Sequence, residues 1–330
     1  MLDVIHVGGT RLAGVCACLP ARVVDNCQML LPLYGEKTAG VVKSTGVRSR
    51  RLAEAGVTPI DLCATAAERL LDDLSVDRES VGAVICVSFT QPERMPAAAC
   101  QVQARLGLSD QIIAFDVGLA CSGWGYGLYL AETLARDLQK PVLLLDGDVQ
   151  SAFMKENDAA TLPVLADAGT ATLVEPAPDA APTSFAFLCN GAGGNALRLE
   201  RGGTIAMDGF EVFRFVSVDV LRFLRRFLSA VRVKPDQVDL FVPHQANVFM
   251  VNQLAKALDF PMEKVGITAD RFGNSASASV PVTLATCGKV GSRVLVSGFG
   301  GGLSAYAATV TIDEQCLLVS FDTDGTDLRI

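Results

Sequence analysis

The sequence has few of the residues from which metal centres are usually built. It contains only two histidines, His6 and His244, which excludes a histidine-rich metal cluster. Ten cysteines are present, but none belongs to a CxxC pair, so their spacing does not predict a zinc site. Nine of the ten are expected to be small buried hydrophobic residues in a reducing compartment, as in the apolar run around Cys86. We therefore predict neither a metal nor a cofactor.

The sequence also lacks the features of a membrane or secreted protein. No apolar run is long enough to cross a bilayer, and the N-terminal "MLDVIHVGGTRL" does not show the basic and then apolar pattern of a signal peptide. The net charge of -8 argues against general affinity for nucleic acids or anionic membranes. The expectation is a soluble cytoplasmic protein with no nucleic-acid or membrane partner.

What the sequence does contain is a regular alternation of short apolar runs and helical patterns. Half of its residues are hydrophobic and 19% are charged, a composition typical of a compact protein with many buried strands. One helix is predicted to begin at Pro59, because Thr58 is a suitable N-cap and Asp61 completes a capping box. The alternation of strands and helices predicts a layered α/β fold.

The two halves of the sequence show the same order of predicted elements. The first half gives helix 59–75, strand 82–89, helix 96–106, strand 112–117, helix 121–138 and strand 141–147, and the second gives helix 210–232, strand 238–243, helix 246–258, a strand near 264–268, helix 275–289 and strand 292–298. This order predicts a duplication. We expect halves at residues 1–178 and 179–330, joined near "EPAPDAAPTS", that pack as one five-layered αβαβα sandwich.

Cys121 lies where a strand breaks into small residues and a helix begins, in "FDVGLACSGWGYGL". The free N–H groups and the dipole of a helix start stabilise a thiolate, so the pattern predicts a lowered pKa and a reactive sulfur. Small neighbours such as Gly118 and Gly123 leave room for an elongated substrate. The alternative is a cysteine packed in a tight strand–helix junction, and composition does not decide between the two.

Three other motifs could complete a site with Cys121. His244 follows a buried strand in "LFVPHQAN", where α/β folds place their chemistry, although a lone histidine is more often structural. Asn274 opens a helix in "DRFGNSASASVP", where it also suits an N-cap. The glycines of "GFGGGLSAYA" lack the Lys-Ser/Thr of a phosphate loop but suit an oxyanion hole. A nucleophilic cysteine with a neutral imidazole and a carboxamide suggests acyl-thioester chemistry, with a carbanion generated by decarboxylation.

These motifs together resemble those of the β-ketoacyl-acyl-carrier-protein synthase III family, which are thiolase-fold condensing enzymes. The resemblance covers residues 5–310. The segments that carry it, in the family's order, are "GTRLAGVCACLPARVVDN", "STGVRSRR", "PAAACQVQARLG", "ACSGWGYGL", "DAGTATLV", "PHQAN", "FGNSASASVP" and "GFGGGLS". The resemblance implies a thiolase-like α/β fold of two similar halves.

The resemblance also implies a role for each candidate catalytic residue. Cys121 would take an acyl group from a thioester of coenzyme A or of a carrier protein. His244 and Asn274 would bind the carbonyl of a malonyl-type extender and stabilise the enolate left after loss of carbon dioxide. The backbone N–H groups of Cys121 and Gly301 would form the oxyanion hole, and Phe299 would lie beside the imidazole and favour decarboxylation.

Further implications concern the acyl pocket and the assembly. The family works as a homodimer in which the segment around Met95 reaches the acyl pocket of the neighbouring subunit. Trp124, next to the nucleophile, is a second candidate for the lining of that pocket. The acyl chain length is not predicted.

The chain departs from the family pattern at the coenzyme A site. Gly40 and Ser44 stand where housekeeping members have a tryptophan and an arginine that sandwich adenine, and Ala159 stands in place of a further arginine. Phe249 replaces an arginine that docks the carrier protein. These changes point away from housekeeping fatty-acid initiation and toward a specialised fatty-acid or polyketide pathway.

A basic helix is the candidate docking surface for an acidic acyl carrier protein. Residues 211–234 contain six basic residues and two acidic ones in an otherwise acidic chain. The docking candidates are Arg214, Arg222, Arg225 and, in the predicted helix 246–258, Lys256. The alternative is a solvated amphipathic face whose phenylalanines point inward.

The functional hypothesis is acyl transfer to Cys121 followed by decarboxylative condensation with a malonyl-type thioester. One alternative keeps the acyl-cysteine but passes the acyl group to an oxygen or nitrogen nucleophile, with His244 as general base. A second alternative is a partner-dependent, non-catalytic subunit. The tail at residues 313–330 extends beyond the family's usual end, and no role is predicted for it.

Overall fold

The computed structural model describes residues 2–155, 158, 161–199 and 202–323 of the chain. The strands in these residues are β1 (Ile5–Val7), β2 (Thr10–Pro20), β3 (Val23–Asp25), β4 (Ser49–Arg51), β5 (Ala83–Val87), β6 (Ile113–Val117), β7 (Val142–Val149), β8 (Asp167–Pro176), β9 (Thr183–Cys189), β10 (Leu197–Leu199), β11 (Ile205–Met207), β12 (Leu240–Pro243), β13 (Ser292–Gly300), β14 (Ser304–Ile312) and β15 (Leu317–Thr323).

The α-helices in the same residues include those predicted near 59–75, 96–106, 121–138, 246–258 and 275–289. They are α1 (Asn26–Tyr34), α2 (Thr38–Thr45), α3 (Pro59–Asp73), α4 (Ala98–Arg105), α5 (Gly123–Leu138), α6 (Gly209–Arg214), α7 (Leu221–Val231), α8 (Val248–Ala257), α9 (Ala269–Phe272) and α10 (Ser279–Cys287). The capping box at Thr58 and Asp61 is present at the start of α3. Within the described part of the chain, no helix combines the length and the hydropathy needed to span a membrane.

The first large sheet has the strand order β15-β2-β8-β7-β5-β6. Strand β5 pairs in parallel with β6 and β7, whereas β8 is antiparallel to both β7 and β2. All residues of β5 and β7 are buried, as expected for central strands that are covered by helices on both faces.

The second large sheet repeats this arrangement with the order β1-β9-β14-β13-β12. Strand β12 is parallel to β13, and β14 is antiparallel to both β13 and β9. The series β12-β13-β14-β9 therefore matches β5-β7-β8-β2 in order and direction. The duplication predicted from the order of elements is present in the sheet topology.

Helices form three layers around and between the two sheets. Helices α5 and α10 lie between the sheets, where Trp124, Leu128, Val280 and Leu284 join one core with residues of both. Helices α3 and α4 pack on the outer face of the first sheet, and α7 and α8 on that of the second. The predicted thiolase-like αβαβα sandwich is confirmed.

Two predicted elements differ from the structure. The strand expected near 264–268 is reduced to one parallel bridge between Val265 and Phe241, because only a few residues separate the 3₁₀ turn Met262–Lys264 from α9. The helix expected over 210–232 is interrupted by a π-helical segment, Phe215–Val220, which inserts an extra residue per turn between α6 and α7.

Each end of the chain adds a strand to the sheet of the opposite half. Strand β1 pairs with β9 in the second sheet, and β15, formed by the unassigned tail, runs parallel to β2 in the first. The proposed boundary after residue 178 falls between β8 and β9. Each terminal strand therefore pairs with a strand on the other side of this boundary in the sequence. Residues 324–330 of the tail lie outside the described part of the chain.

The cysteines are less uniformly buried than expected. Besides Cys121, the buried ones are Cys16, Cys18, Cys63, Cys86 and Cys316, whereas Cys27, Cys100 and Cys189 are exposed and Cys287 is intermediate. An apolar sequence context does not predict burial at the exposed positions, because these cysteines lie on the solvent-facing side or at the end of their elements.

A glycine in α5 provides a test of the central layer. A β-carbon at Gly125 would lie 2.1 Å from Cδ2 of the buried Tyr306. We expect Gly125→Ala to lower the free energy of unfolding by about 1–3 kcal/mol in denaturant titrations, because the added methyl overpacks the core. Gly40→Ala in α2 is the matched control, since no atom lies within 4 Å of the added carbon. Equal unfolding midpoints for the two variants would contradict close packing of Gly125 against Tyr306.

Candidate active site

Cys121 lies between the first sheet and the central layer. It follows the end of β6 by four residues and precedes the start of α5 by two. The end of β13 packs directly against it. A β-carbon at Gly300 would lie 2.9 Å from Sγ, and one at Gly298 would lie 2.7 Å from the Cys121 carbonyl oxygen. Glycine at these positions therefore brings the second sheet into contact with the candidate nucleophile.

The electrostatic environment of Cys121 differs from the prediction. Burial raises the pKa of the Cys121 thiol to about 12, and the carboxyl groups of Asp148 and Asp146 act in the same direction. A backbone hydrogen bond at Cys121 lowers the pKa but offsets only part of this effect. The prediction that the start of α5 lowers the pKa of Cys121 is wrong. The sulfur is buried away from solvent, and burial disfavours the charged thiolate.

His244 directly follows the carboxyl end of β12 and is 2% exposed. Its Nδ1 lies 2.7 Å from Ser279 Oγ, and its ring meets the edge of the Phe299 ring at a centroid distance of 5.3 Å. Burial lowers the pKa of His244 to about 3, although a hydrogen bond with the backbone of Ala276 acts in the opposite direction. The imidazole is therefore neutral at physiological pH and suited to hydrogen bonding.

Asn274 is anchored by its backbone to the first half of the chain. Its N–H donates to Val164 O, and its carbonyl accepts from Ala166 N, both at 2.8 Å. Its Oδ1 accepts from Ala276 N at 3.0 Å, but the N-cap of the 3₁₀ turn Ala276–Ala278 is Ser275, so Asn274 lies one residue before the expected capping position. Among the residues that the structure describes, none accepts from Nδ2, so the amide hydrogens can bind a ligand. The bond to Ala276 and ligand binding are compatible, because they use opposite ends of the carboxamide.

Cys121 and Asn274 line one cavity of about 310 Å³. Gly301, the candidate oxyanion-hole residue, also lines it. The remaining lining residues are Phe89, Gly118, Leu119, Ala120, Gln150, Thr161, Leu165, Leu197, Arg198, Leu199, Ile205, Met207 and Gly302. The cavity brings together residues from both halves, whereas His244 and Phe299 are buried and do not belong to its lining.

The two candidates for the acyl pocket lie elsewhere in the single chain. Trp124 is completely buried between the sheets, and its Nε1 donates to Thr172 Oγ1 at 3.1 Å, so it does not line the cavity. The large indole fills the core that α5 forms with both sheets. Met95 is 85% exposed and does not contact the cavity of its own chain.

Several residues of the cavity wall were not predicted. Leu197, Leu199, Ile205 and Met207 belong to the small hairpin formed by β10 and β11. Phe89 is held in place by Asp148, whose Oδ1 accepts from Phe89 N at 3.0 Å. No local signal marks these residues, because the hairpin comes to the site only through the tertiary fold.

The docking candidates are all exposed, but they differ in their pairing. Arg214 lies 3.0 Å from Glu211 and 3.9 Å from Asp219, so its charge is largely compensated. Arg225 Nη2 donates to Ala257 O at 2.8 Å, which brings this side chain next to Lys256 on α8. Arg222 is three residues before Arg225 and lies on the same face of α7.

An apolar patch lies beside these basic residues. Phe249 is 45% exposed and stacks on Phe213 at a centroid distance of 6.3 Å. Phe210 is 73% exposed. The inward-facing phenylalanines expected from the amphipathic alternative are also present, since Phe223 and Phe227 of α7 are buried.

Comparison with known proteins identifies the family of the chain. Residues 115–199 match the family model of 3-oxoacyl-[acyl-carrier-protein] synthase III, and residues 228–312 match the model of its C-terminal region. A β-ketoacyl-[acyl-carrier-protein] synthase III from Serratia proteamaculans is 31% identical over 315 residues, which cover 91% of this chain and 99% of the relative. The chain belongs to the β-ketoacyl-acyl-carrier-protein synthase III family. It is a condensing enzyme, as the sequence motifs predict.

Solved structures show the same fold. A 3-oxoacyl-(acyl-carrier protein) synthase from Burkholderia xenovorans superposes with a TM-score of 0.94 at 32% identity and covers 98% of this chain and 99% of its own. The priming β-ketosynthase of the R1128 polyketide pathway superposes with a TM-score of 0.84 at 27% identity, covering 94% of this chain and 99% of its own. This synthase III family member thus resembles both a 3-oxoacyl-(acyl-carrier protein) synthase and a priming ketosynthase of a polyketide pathway.

Two of the three residues that were expected to depart from the family's coenzyme A site lie on α2. Gly40 and Ser44 are both exposed residues of that helix, and Ser44 Oγ donates to Val41 O at 2.9 Å. Neither can stack on an adenine ring. Ala159 lies outside the described residues.

The low pKa of His244 predicts that the free energy of unfolding falls as the pH is lowered. The unfolded chain gains a proton on this side chain below about pH 6.5, whereas the folded ring stays neutral down to about pH 3. The folded state therefore loses stability as the pH falls through 6.5. Between pH 7 and pH 5, we expect the free energy of unfolding of the wild type to fall by about 2 kcal/mol more than that of His244→Gln. Urea titrations at the two pH values measure this difference, and equal losses in both proteins would show that the ring titrates normally.

Proposed function

We propose that this enzyme forms an acyl-cysteine at Cys121 and condenses the acyl group with a malonyl-type thioester. The observation that carries the proposal is the shared cavity lined by Cys121, Asn274 and Gly301, together with a neutral His244 whose backbone partner Ala276 also hydrogen-bonds to Asn274. Groups of this kind bind and polarise a thioester carbonyl, whose oxygen gains negative charge as the reaction proceeds.

In the first half-reaction, the sulfur of Cys121 attacks the carbonyl carbon of the donor thioester. The bond from that carbon to the donor sulfur breaks, and the thiol proton passes to the departing thiol. Because burial keeps the Cys121 thiol protonated, its activation depends on the bound substrate and on the N–H groups at the start of α5. The backbone N–H groups of Cys121 and Gly301 stabilise the tetrahedral oxyanion.

In the second half-reaction, the carbon–carboxylate bond of the malonyl thioester breaks and releases carbon dioxide. The resulting enolate oxygen accepts hydrogen bonds from the neutral His244 ring and from Asn274 Nδ2. The enolate carbon then attacks the acyl carbonyl, the bond to Cys121 breaks, and a 3-oxoacyl thioester is formed, while the released sulfur of Cys121 takes up a proton from solvent. Phe299 packs against the imidazole and keeps water from it, which favours loss of the charged carboxylate.

The structure gives less support to transfer of the acyl group to an oxygen or nitrogen nucleophile. That reaction needs a general base with a pKa near the working pH. Burial lowers the pKa of His244 to about 3, so the ring is a weak base. A non-catalytic role is also disfavoured, because the cavity keeps Cys121 and Asn274 accessible to a common ligand.

The substrate is delivered, in this proposal, by an acyl carrier protein. Arg222, Arg225 and Lys256 form a basic cluster on the outer face of the second half, in an enzyme of net charge -8. The absence of aromatic and arginine side chains at Gly40 and Ser44 weakens binding of coenzyme A. Phe249 adds apolar area where the family has a charged docking residue.

A homodimer is the proposed assembly. Strand β6 is an edge strand of the first sheet, and Ile113 at its start is 40% exposed. An exposed edge of this kind can pair with the same strand of a second copy. The exposed Met95 lies on the loop that precedes α4, where it would reach the acyl pocket of the partner.

Separate measurements test the two half-reactions. Intact mass spectrometry after incubation with acyl thioesters should show one acyl adduct on the wild type and none on Cys121→Ala. Malonyl-thioester decarboxylation by His244→Ala and by Asn274→Ala should fall by about 100-fold or more, because each change removes one donor to the enolate.

Cys100→Ala, at an exposed cysteine, is the control and should retain the adduct. An adduct that persists on Cys121→Ala would exclude this nucleophile. Unchanged decarboxylation by His244→Ala would exclude the proposed enolate site.

The docking cluster can be tested by charge reversal. We expect Arg222→Glu combined with Lys256→Glu to raise KM for acyl carrier substrates about fivefold to tenfold at low salt, because two attractive contacts become repulsive. The effect should shrink at high ionic strength, and KM for small pantetheine thioesters should not change. Lys140→Glu, an exposed change on the first half, is the control. Equal effects on carrier and pantetheine substrates would contradict docking at this cluster.

A further inference from the structure

The wall of the catalytic cavity is mainly apolar but contains two buried polar side chains besides Asn274. Gln150 is 2% exposed, and Thr161 is completely buried. Arg198 also lines the cavity, but it is an exposed residue. In a mainly apolar pocket, the few polar atoms determine which ligands fit.

The orientation of the Gln150 amide is fixed by two hydrogen bonds. Its Nε2 donates to Ala166 O and to Asn274 O, each at 2.8 Å. Only the nitrogen end of the amide can donate to carbonyl oxygens, so the reverse orientation would place Oε1 against two acceptors. Both amide hydrogens are therefore used, and Oε1 receives no hydrogen bond from any residue that the structure describes.

The Thr161 hydroxyl likewise has no proton left to donate to a ligand. It donates to Asp158 Oδ2 at 2.7 Å, so its only proton is used and its oxygen remains an acceptor. Gln150 and Thr161 thus both offer acceptors without offering donors. A ligand that complements them carries a hydrogen-bond donor.

We propose that the acyl group accepted by this enzyme carries a hydroxyl, which donates to Gln150 Oε1. The proposal rests on the proposed acylation of Cys121, since the same cavity holds the nucleophile. An unsubstituted alkyl chain leaves Oε1 without a partner in an apolar site, which costs binding free energy, whereas a hydroxyl satisfies it. Gln150 is then a specificity-determining residue of the acyl site.

The volume of the cavity sets the size of suitable probes. About 310 Å³ corresponds to roughly ten water volumes, which is enough for an acyl chain of about six carbons with a hydroxyl. The probes are the hexanoyl thioester of pantetheine and its five isomers hydroxylated at C2 through C6. The readout is the rate of Cys121 acylation, measured by intact mass spectrometry.

In the wild type, we expect at least one hydroxylated isomer to acylate Cys121 about tenfold faster than hexanoyl. In Gln150→Met, which has a side chain of similar length and no amide, the ratio of the two rates should fall to about one. Leu199→Met changes another residue of the same wall and should keep the preference. Because the wild-type ratio is informative alone, the test does not depend on the folding of a variant.

The possible failures can be told apart. If Cys121 is acylated but every hydroxylated isomer reacts no faster than hexanoyl, the proposed selectivity is overturned and the acylation proposal stands. A preference that survives in Gln150→Met would assign the selectivity to another residue and overturn the role of Gln150. If no thioester acylates Cys121, the proposed function fails, and the selectivity fails with it.

Discussion

The contact between the end of β13 and Cys121 holds the two halves of the site together. Side chains alternate between the two faces of a strand, so Gly298 and Gly300 face Cys121 while Phe299 faces the opposite side and meets the His244 ring. One short segment thus fixes the nucleophile of the first half relative to the imidazole of the second. Any larger side chain at either glycine would separate them, because the added carbon would overlap Cys121.

Burial, rather than charge, sets the protonation states of the site. It raises the pKa of Cys121 and lowers that of His244, so the thiol and the imidazole are both neutral before the substrate binds. Burial also raises the pKa of Asp148 to about 7. The neutral thiol and the neutral imidazole give up little hydration when an apolar acyl chain enters, and the hydrogen-bond donors of the site strengthen as negative charge develops on the substrate.

The order of elements could be predicted from the sequence, and so could three residues of the cavity lining, Cys121, Asn274 and Gly301. The apolar residues of the lining could not be predicted. Hydrophobic periodicity and caps are local signals, which is why α3 begins at Pro59 and β12 ends just before His244 as expected. The pKa of Cys121 was predicted with the wrong sign, because the helix start is visible in the sequence whereas the surrounding core is not. The orientation of Gln150 likewise depends on carbonyls of Ala166 and Asn274, which only the fold brings to it.

The duplication explains why the three catalytic candidates converge. Cys121 follows β6 and precedes the central helix α5, and Asn274 follows the Val265 bridge and precedes the central helix α10. Since that bridge takes the position of β6 in the second sheet, the two residues occupy equivalent loops of the two halves. His244 follows β12, the counterpart of β5, and the loop after β5 carries Phe89 into the cavity wall. Packing two copies of one unit through their central helices therefore brings equivalent loops face to face, and different residues in those loops supply the nucleophile, the hydrogen-bond donors and the apolar wall.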